Sequence, residues 1–452
     1  MTQQLLEIKR TLLIIGISIF GLSHIGLTIW THLSKSSLTI GTLFHITPAE
    51  SFILSISSAI LICLYHLNLT QKTPLIPHHH LLGILLTASL WIIVGSTNMT
   101  LKLIGLEIGT LTLVISHFKG QRRAKKLYLI LWVVTSFFLW ICFLIQTQAL
   151  QFHYVNTNSL DIDMATRLLT STLFLVSIMV KTGHPPFQFP FDLMSKSNTF
   201  FFSASFLSHS LLLLNTSLFQ FRDHLLPLTQ HPILLTFLAL TSLLLFIPIV
   251  SSKSLKRLSF YLFFGYTPLI TACIIQKNNL SDSIPLLTTA SLLFIALLLI
   301  ISVIHRNSHS DLLTSIPMLW SKHPFFSITF IGIMACIIGM PPLGFFQLRY
   351  TLLSTFIQEN LILATLSICI SYGLCTLAMI KVLYHSFWAE ESRSVREKKP
   401  KINAKKTTVI TSILGFIVLI QLLNGIGLTQ DLSQKETRLS KDLFSKKAEI
   451  NQ

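Results

Sequence analysis

Long apolar runs follow one another along almost the whole of this sequence. Only 11% of its 452 residues are charged, against about 25% in a soluble domain. A helix needs about 20 mainly apolar residues to cross the hydrocarbon core of a membrane, and about 13 segments meet that requirement. They lie at 11–30, 48–69, 81–97, 99–118, 127–147, 165–194, 199–219, 232–250, 258–275, 284–304, 325–358, 361–388 and 408–428. The sequence therefore predicts an all-α polytopic membrane protein with about 13 transmembrane helices, and it excludes soluble, disordered and disulfide-scaffold classes.

Two of these segments, 165–194 and 325–358, are too long for one straight helix. Each contains a proline pair, Pro185-Pro186 in the first and Pro341-Pro342 in the second. Proline removes a backbone donor and clashes with the preceding turn. Interrupted helices are tolerated at membrane depth where they line a polar cavity, and transporters place ion sites at them. We therefore expect two broken helices, each beside a polar site.

The net charge of +17 has two candidate meanings, nucleic-acid binding and membrane orientation. Most basic residues lie between the apolar runs, as in cytoplasmic loops. With the N-terminus in the cytoplasm, the clusters 119–126, 253–257 and 393–406 all fall on the cytoplasmic side, whereas the basic tail after Leu428 falls outside and fits poorly. We interpret the charge as orienting the spans, predict a cytoplasmic N-terminus and expect no nucleic-acid partner. The first run is interpreted as a span because no small-residue cleavage pattern follows it.

Cysteine and histidine patterns give no sign of a metal or redox centre. The cysteines all lie inside apolar runs and form no Cys-x-x-Cys pair, so we interpret them as small packing residues. The triplet His78-His79-His80 follows Pro77 without nearby cysteines or acids, and we interpret it as a loop feature. We expect no metal, no cofactor and no catalytic site in this chain.

Four ionisable residues lie inside predicted spans, where such groups are costly and usually functional. Each has an alternative explanation. Lys181 and Arg349 could extend toward the membrane surface, His209 could be a hydrogen-bonded core histidine, and Glu107 could pair with Lys102 near a helix end. If Glu107 and Lys181 lie on neighbouring spans and meet, however, each changes the protonation of the other, as a proton relay requires.

The residues around these charges resemble the signature of antiporter-like membrane subunits. These comprise the large proton-pumping subunits of NADH:quinone oxidoreductase, Mrp-type cation/proton antiporter subunits, and membrane subunits of related hydrogenases and inorganic-carbon transporters. The match consists of a lysine (Lys181), a proline five residues later (Pro186), and a serine-containing stretch that ends in His209. Further similar segments appear in the family's order over about residues 48–390: Glu107 with the basic loop 118–126, Ser254 to Tyr261 around Lys256, Gly339 to Phe346 followed by Arg349, and Met379 to Trp388.

The sequence also departs from the family pattern. Ala290 stands where the family has a central lysine, Arg349 where it usually has lysine, and Ser254 where it has an acid. The proline turn before the histidine helix is replaced by Ser197-Asn198-Thr199. One early helix and the long lateral helix after the last span are missing. The first half-channel is thus predicted to be preserved and the second to be degraded.

The resemblance implies two inverted repeats, each with a broken helix, and a proton relay of Glu107, Lys181, His209, Lys256 and Arg349. It divides the chain into N-terminal helices (1–98), a first half-channel repeat (99–250), a degraded second repeat (251–390), a basic loop with the last span (391–430) and a basic tail (431–452).

Three functions remain open. The first is a proton-translocating subunit of a larger ion-coupled complex in a bacterial inner membrane, at most one subunit of a proton-pumping oxidoreductase. The second is a membrane subunit of a proton-driven inorganic-carbon (CO2/bicarbonate) transporter that energises a zinc-bearing partner protein. The third is a structural subunit that conducts nothing. The expected partners are other membrane subunits or one large protein, the lipid bilayer, and protons, with Na⁺ as the alternative ion.

Overall fold

A computed structural model gives the fold of the chain. It describes residues 38–40, 44–47, 54, 78–117, 122–155, 164–187, 200–221, 224–225, 228, 232–276, 289–301, 304, 313, 324–341, 343–387 and parts of 411–419. Outside the described residues lie the predicted first span, most of the second, residues 156–163, the basic loop after residue 387, the Ser197–Thr199 turn and the basic tail.

The described chain is built from eleven helices and one short hairpin. The strands are β1 (Leu38–Ile40) and β2 (Phe44–Ile46), and the helices are α1 (His78–Gly95), α2 (Met99–His117), α3 (Arg122–Val155), α4 (Met164–Thr182), α5 (Phe200–Gln220), α6 (Pro232–Ser251), α7 (Leu255–Gln276), α8 (Thr289–Ile301), α9 (Pro324–Ile338), α10 (Gly344–Gln358) and α11 (Ile362–Phe387). Within the described ranges, five helices (α3, α4, α6, α7 and α11) contain a stretch long and apolar enough to cross a membrane.

The helices agree with the predicted spans to within a few residues, with three differences. Helix α3 has 34 residues, about 51 Å at 1.5 Å per residue, because the basic segment from Arg122 and residues 148–155 both continue the helix beyond the predicted span. His78–His80 form the first turn of α1, so the loop prediction for them is wrong. The antiparallel hairpin, with Thr39 opposite His45, was not predicted because its strands have only three residues each.

Two helices end at a glycine inside the bundle, as the proline pairs predicted. Gly183 and Gly339 have φ values of 69° and 74°, a region that glycine enters without steric cost. At the first break the Gly183 N–H donates to Val180 O (3.1 Å) and the His184 N–H to Met179 O (2.9 Å). This pair of bonds is the Schellman motif, which satisfies the last carbonyls of a helix.

The second break repeats the first. The Gly339 N–H donates to Cys336 O (3.1 Å) and the Met340 N–H to Ala335 O (3.2 Å). Helix α9 therefore ends at Ile338 and the chain resumes as α10 at Gly344. Both predicted breaks are present, each with a glycine just before the prolines.

Helices α1 and α2 pack closely because small residues lie between them. A Cβ atom at Gly109 would lie 2.6 Å from Ser89 Oγ, and one at Gly105 would lie 2.9 Å from Ile92 Cγ2. Glycines four residues apart let two membrane helices approach backbone to backbone. This spacing places the α2 turn that carries Glu107 firmly against α1.

Gly109→Ala should lower the thermal stability of the purified protein, because the added methyl group overlaps Ser89 and the two helices must separate. We expect a loss of about 1–3 kcal/mol, the usual cost of overpacking. The matched control is Gly373→Ala on α11, where a Cβ would meet nothing within 4 Å. The midpoint of thermal unfolding in detergent, measured for both variants, checks this, and equal midpoints would contradict the close packing.

Candidate functional site

Glu107 and Lys181 form a buried ion pair between α2 and α4. Lys181 Nζ donates to Glu107 Oε2 at 2.7 Å, and the lysine side chain is 0% exposed whereas that of the glutamate is 14% exposed. Lys181 therefore does not extend to the surface. Lys102, the alternative partner of Glu107, donates a hydrogen bond to Gln220 on α5. The meeting of Glu107 and Lys181, which the sequence could not establish, is present.

Helix α3 supplies further groups to this pair. Ser136 Oγ accepts from Lys181 Nζ at 2.5 Å and lies 3.1 Å from Glu107 Oε2 and 2.9 Å from Trp132 O. The Lys181 ammonium also lies 4.2 Å from the centroid of the Trp132 ring, within the range of a cation–π contact. Trp132 is fixed in turn by its indole N–H, which donates to Thr110 Oγ1 at 3.0 Å. The ammonium is thus held by a carboxylate, a hydroxyl and an aromatic face.

The carboxylate is satisfied on one side only. Glu107 Oε2 accepts from Lys181, whereas Glu107 Oε1 is buried and has no hydrogen-bond partner among the described residues. A carboxylate oxygen in such a place can accept a proton without first giving up a hydrogen bond. The pair can therefore exist as an ion pair or as a neutral acid and amine.

The end of α4 is capped by a tyrosine of α3. The Tyr128 hydroxyl lies 2.6 Å from Lys181 O and 3.0 Å from Val180 O, so it satisfies carbonyls that the broken helix leaves without an intrahelical donor. The cap fixes the backbone of Lys181 at the place where the chain turns.

Two buried histidines follow the pair. His184 lies in the break itself and is fully buried, with its ring 6.0 Å from that of Phe263 and beside the backbone of Ser210. His209 is fully buried on α5, one residue before Ser210. The break therefore brings the two histidine segments next to each other, and His184 is three residues after Lys181 along the chain.

A second polar cluster surrounds Arg349 on α10. Its guanidinium donates to Tyr266 Oη at 2.9 Å, and the Tyr266 hydroxyl lies 2.5 Å from Ile337 O. The Tyr372 ring lies 4.0 Å from Arg349 Cζ. Tyr266 also contacts Cys375 Sγ at 3.4 Å. Arg349 therefore points into the bundle, and the partners described for it are tyrosines and a carbonyl, with no carboxylate.

The second break leaves little room beside Arg349. A Cβ atom at Gly339 would lie 2.9 Å from Arg349 Nε, so the arginine side chain lies directly on the glycine of the break. Ile337 occupies the place, two residues before the glycine, that Lys181 occupies in the first break. Its carbonyl is capped by Tyr266 as that of Lys181 is capped by Tyr128.

Aromatic rings fill the space between the two polar clusters. The Phe263 ring is 4.8 Å from that of Phe294, and the Phe294 ring is 6.3 Å from that of Phe345. Phe345 in turn stacks on Tyr266 at 4.5 Å. Together with the contact between His184 and Phe263, these rings connect the first cluster to the second through three phenylalanines.

Two predicted positions remain, Lys256 and Ala290. Lys256 is in the first turn of α7 and is 6% exposed, and Ala290, at the position of the family lysine, is fully buried on α8. In the described part of the chain, no group of three or more histidine, cysteine or acidic side chains has the arrangement of a metal site.

Ser136, Trp132 and Tyr128 were not singled out from the sequence. They lie in one apolar segment, where a polar atom is the usual sign of a helix–helix hydrogen bond. That sign identifies Ser136 as a candidate but not its partner, because the partner depends on how α2, α3 and α4 pack.

The chain was compared with known proteins by sequence and by fold, and no family model matches it. It is 23% identical over 336 residues, 68% of this chain and 70% of the relative, to the NADH-quinone oxidoreductase subunit N of Campylobacter lari. It is 30% identical over 105 residues, 22% of this chain and 21% of the relative, to a Na(+)/H(+) antiporter subunit of Alkalihalophilus pseudofirmus. The chain is therefore similar to antiporter-like membrane subunits.

The fold is also similar to that of solved proteins. A solved structure of the Mrp complex from Dietzia sp. superposes with a TM-score of 0.72 and 13% identity, over 94% of this chain and 91% of the solved one. An antiporter-like subunit is a multi-pass membrane protein, and the apolar helices described above fit that class. The family resemblance predicted from the motifs is confirmed.

Removing one member of the ion pair should destabilise the protein strongly, because a charge is then left buried without its partner. Lys181→Met and Glu107→Gln should each cost on the order of 3–5 kcal/mol, whereas the double variant should recover part of that loss. A double-mutant cycle of thermal unfolding in detergent measures this coupling. Additive losses would mean that the two groups do not depend on each other.

Proposed function

We propose that this chain is a proton-translocating membrane subunit of a larger ion-coupled complex. The single observation that carries the proposal is the buried pair of Glu107 and Lys181, with Nζ 2.7 Å from Oε2. Burying an ion pair costs much of the attraction it gains. The ionic and neutral forms of such a pair are therefore close in free energy, and a small change nearby shifts the proton between them.

In the proposed cycle, Lys181 holds the proton and Glu107 sets how tightly it is held. When Glu107 is ionised it stabilises the ammonium. When a second proton, arriving from outside the pair, protonates the free Glu107 Oε1, that support is lost and Lys181 releases its own proton. His184 and His209 are the nearest buried bases along the two chain segments that meet at the break. Neutral imidazoles accept protons, so these histidines would take the proton onward into the protein.

The Arg349 cluster supports a different role for the second half. A guanidinium does not lose its proton in proteins, so Arg349 cannot alternate between two protonation states. Together with Ala290 and the aromatic rings between the clusters, this favours one working half-channel, with Arg349 as a fixed charge that closes the second half. Lys256 is also included in the proposed relay.

The same proposal extends to the partners, the transported ion, the location and the repeats of the chain. The relatives named above are respiratory and antiporter subunits, so we propose this function ahead of the inorganic-carbon alternative. The partners would be other membrane subunits. The transported ion would be a proton, with Na⁺ as the alternative. The protein would lie in a bacterial inner membrane with its N-terminus in the cytoplasm. The first repeat would be residues 99–250 and the degraded second repeat residues 251–390.

Lys181→Ala should reduce proton translocation at least about tenfold, because no other buried amine is paired with Glu107 at this site. The assay uses vesicles that contain the chain with its co-purifying partner proteins and a pH-sensitive dye. Lys126→Ala, which removes an exposed lysine at the start of α3, is the control. Undiminished translocation by an assembled Lys181→Ala complex would refute the relay.

Tyr266→Phe should lower the thermal stability of the protein but leave proton translocation nearly unchanged. It removes the hydroxyl that bridges Arg349 and Ile337 O and keeps the ring stacked on Phe345, so thermal stability should fall by about 1–3 kcal/mol. Translocation per assembled complex should stay within about twofold of the unmodified protein, since no proton passes this cluster. A loss as large as that of Lys181→Ala would show that the second half conducts.

A further inference from the structure

We propose that the turn between α6 and α7 binds the head group of an anionic phospholipid. A cavity of about 470 Å³ opens there, lined by Lys253, Arg257, Ser254 and Tyr261 with the end of α6. Ligand pockets usually have volumes of about 300–1,000 Å³. This site is separate from the ion pair and from the Arg349 cluster.

The charge of the cavity favours an anion. Lys253 and Arg257 both line it, and none of its described lining residues is acidic. Neither side chain forms an ion pair or a hydrogen bond with a described residue, and both are exposed. Two basic side chains in a pocket between membrane helices form the usual recognition site for an anionic lipid head group.

The end of α6 at the cavity is held in place by a further basic residue, Lys381, which is already engaged. Lys381 of α11 donates to Val250 O at 2.9 Å and to Ser252 O at 3.1 Å, so it caps the end of α6. The Lys253 carbonyl also accepts from the Leu313 N–H at 2.9 Å. The backbone that carries Lys253 is therefore fixed, and its ammonium remains available for a ligand.

The apolar surface next to the cavity favours a lipid over a free anion. Leu244 is 66% exposed and Ile247 54% exposed, and Ser251 of the cavity is exposed on the same helix. Residues three and seven positions apart lie on one face of a helix. An exposed apolar stripe on α6 thus leads directly into the basic cavity. A lipid could place its acyl chains along this stripe and its phosphate in the cavity.

The test measures binding of phosphatidylglycerol to the purified full-length chain in detergent, by native mass spectrometry and by the rise in the thermal unfolding midpoint. Phosphatidylcholine, inorganic phosphate and glycerol 3-phosphate are the comparison probes. Phosphatidylglycerol should bind, phosphatidylcholine should bind more weakly, and the two water-soluble phosphates should not displace the lipid. Equal binding of phosphatidylcholine, or full displacement by inorganic phosphate, would overturn the proposal.

Variants locate the site. Lys253→Ala and Arg257→Ala should each weaken phosphatidylglycerol binding about fivefold, whereas Arg257→Lys should retain most of it. Lys126→Ala removes one exposed basic charge outside the cavity and should leave binding unchanged. Unfolding midpoints measured without lipid separate lost binding from lost folding. If all four variants bind like the unmodified protein, the site is not this cavity.

Discussion

The site depends on one constraint: the ammonium ion of Lys181 is buried at the end of an interrupted helix, and its charge must be balanced there. Helix α4 ends at Thr182 because Gly183 turns the chain inside the bundle, which leaves Lys181 beside carbonyls without intrahelical donors. The Tyr128 hydroxyl donates to those carbonyls. The ammonium donates to Glu107 and Ser136 and contacts the face of the Trp132 ring. Helices α2, α3 and α4 are therefore joined at one point, and any displacement of α2 relative to α4 acts directly on the ion pair.

The two breaks have the same backbone geometry but differ in the charged residue beside them. Both end in a glycine with positive φ and both have a tyrosine hydroxyl on the carbonyl two residues earlier. In the first break that residue is Lys181, and in the second it is Ile337, while the cation comes from Arg349 on the following helix. The same geometry thus holds a titratable amine in one half and a permanent charge in the other, which accounts for the asymmetry that we propose between them.

Sequence alone was sufficient for the helices and the breaks but not for the partners. Apolar length places the spans, and proline pairs beside Gly183 and Gly339 locate the interruptions, because both signals are local. That Glu107 meets Lys181 rather than Lys102 depends on the packing of α2 against α4, which no local pattern encodes. For the same reason His184 was not singled out as a site residue, although it stands in the motif. The loop predicted at His78 is instead the first turn of α1.

The central claim is that Glu107 changes its protonation while it remains paired with Lys181. Infrared difference spectroscopy of the chain in lipid vesicles, recorded across a pH step, measures this directly through the carbonyl stretch of a protonated carboxyl group. A band that appears with the step and is absent from Glu107→Gln is the predicted result. A difference spectrum that is identical for the two proteins would mean that Glu107 keeps one protonation state, and the ion pair would then be a structural contact only.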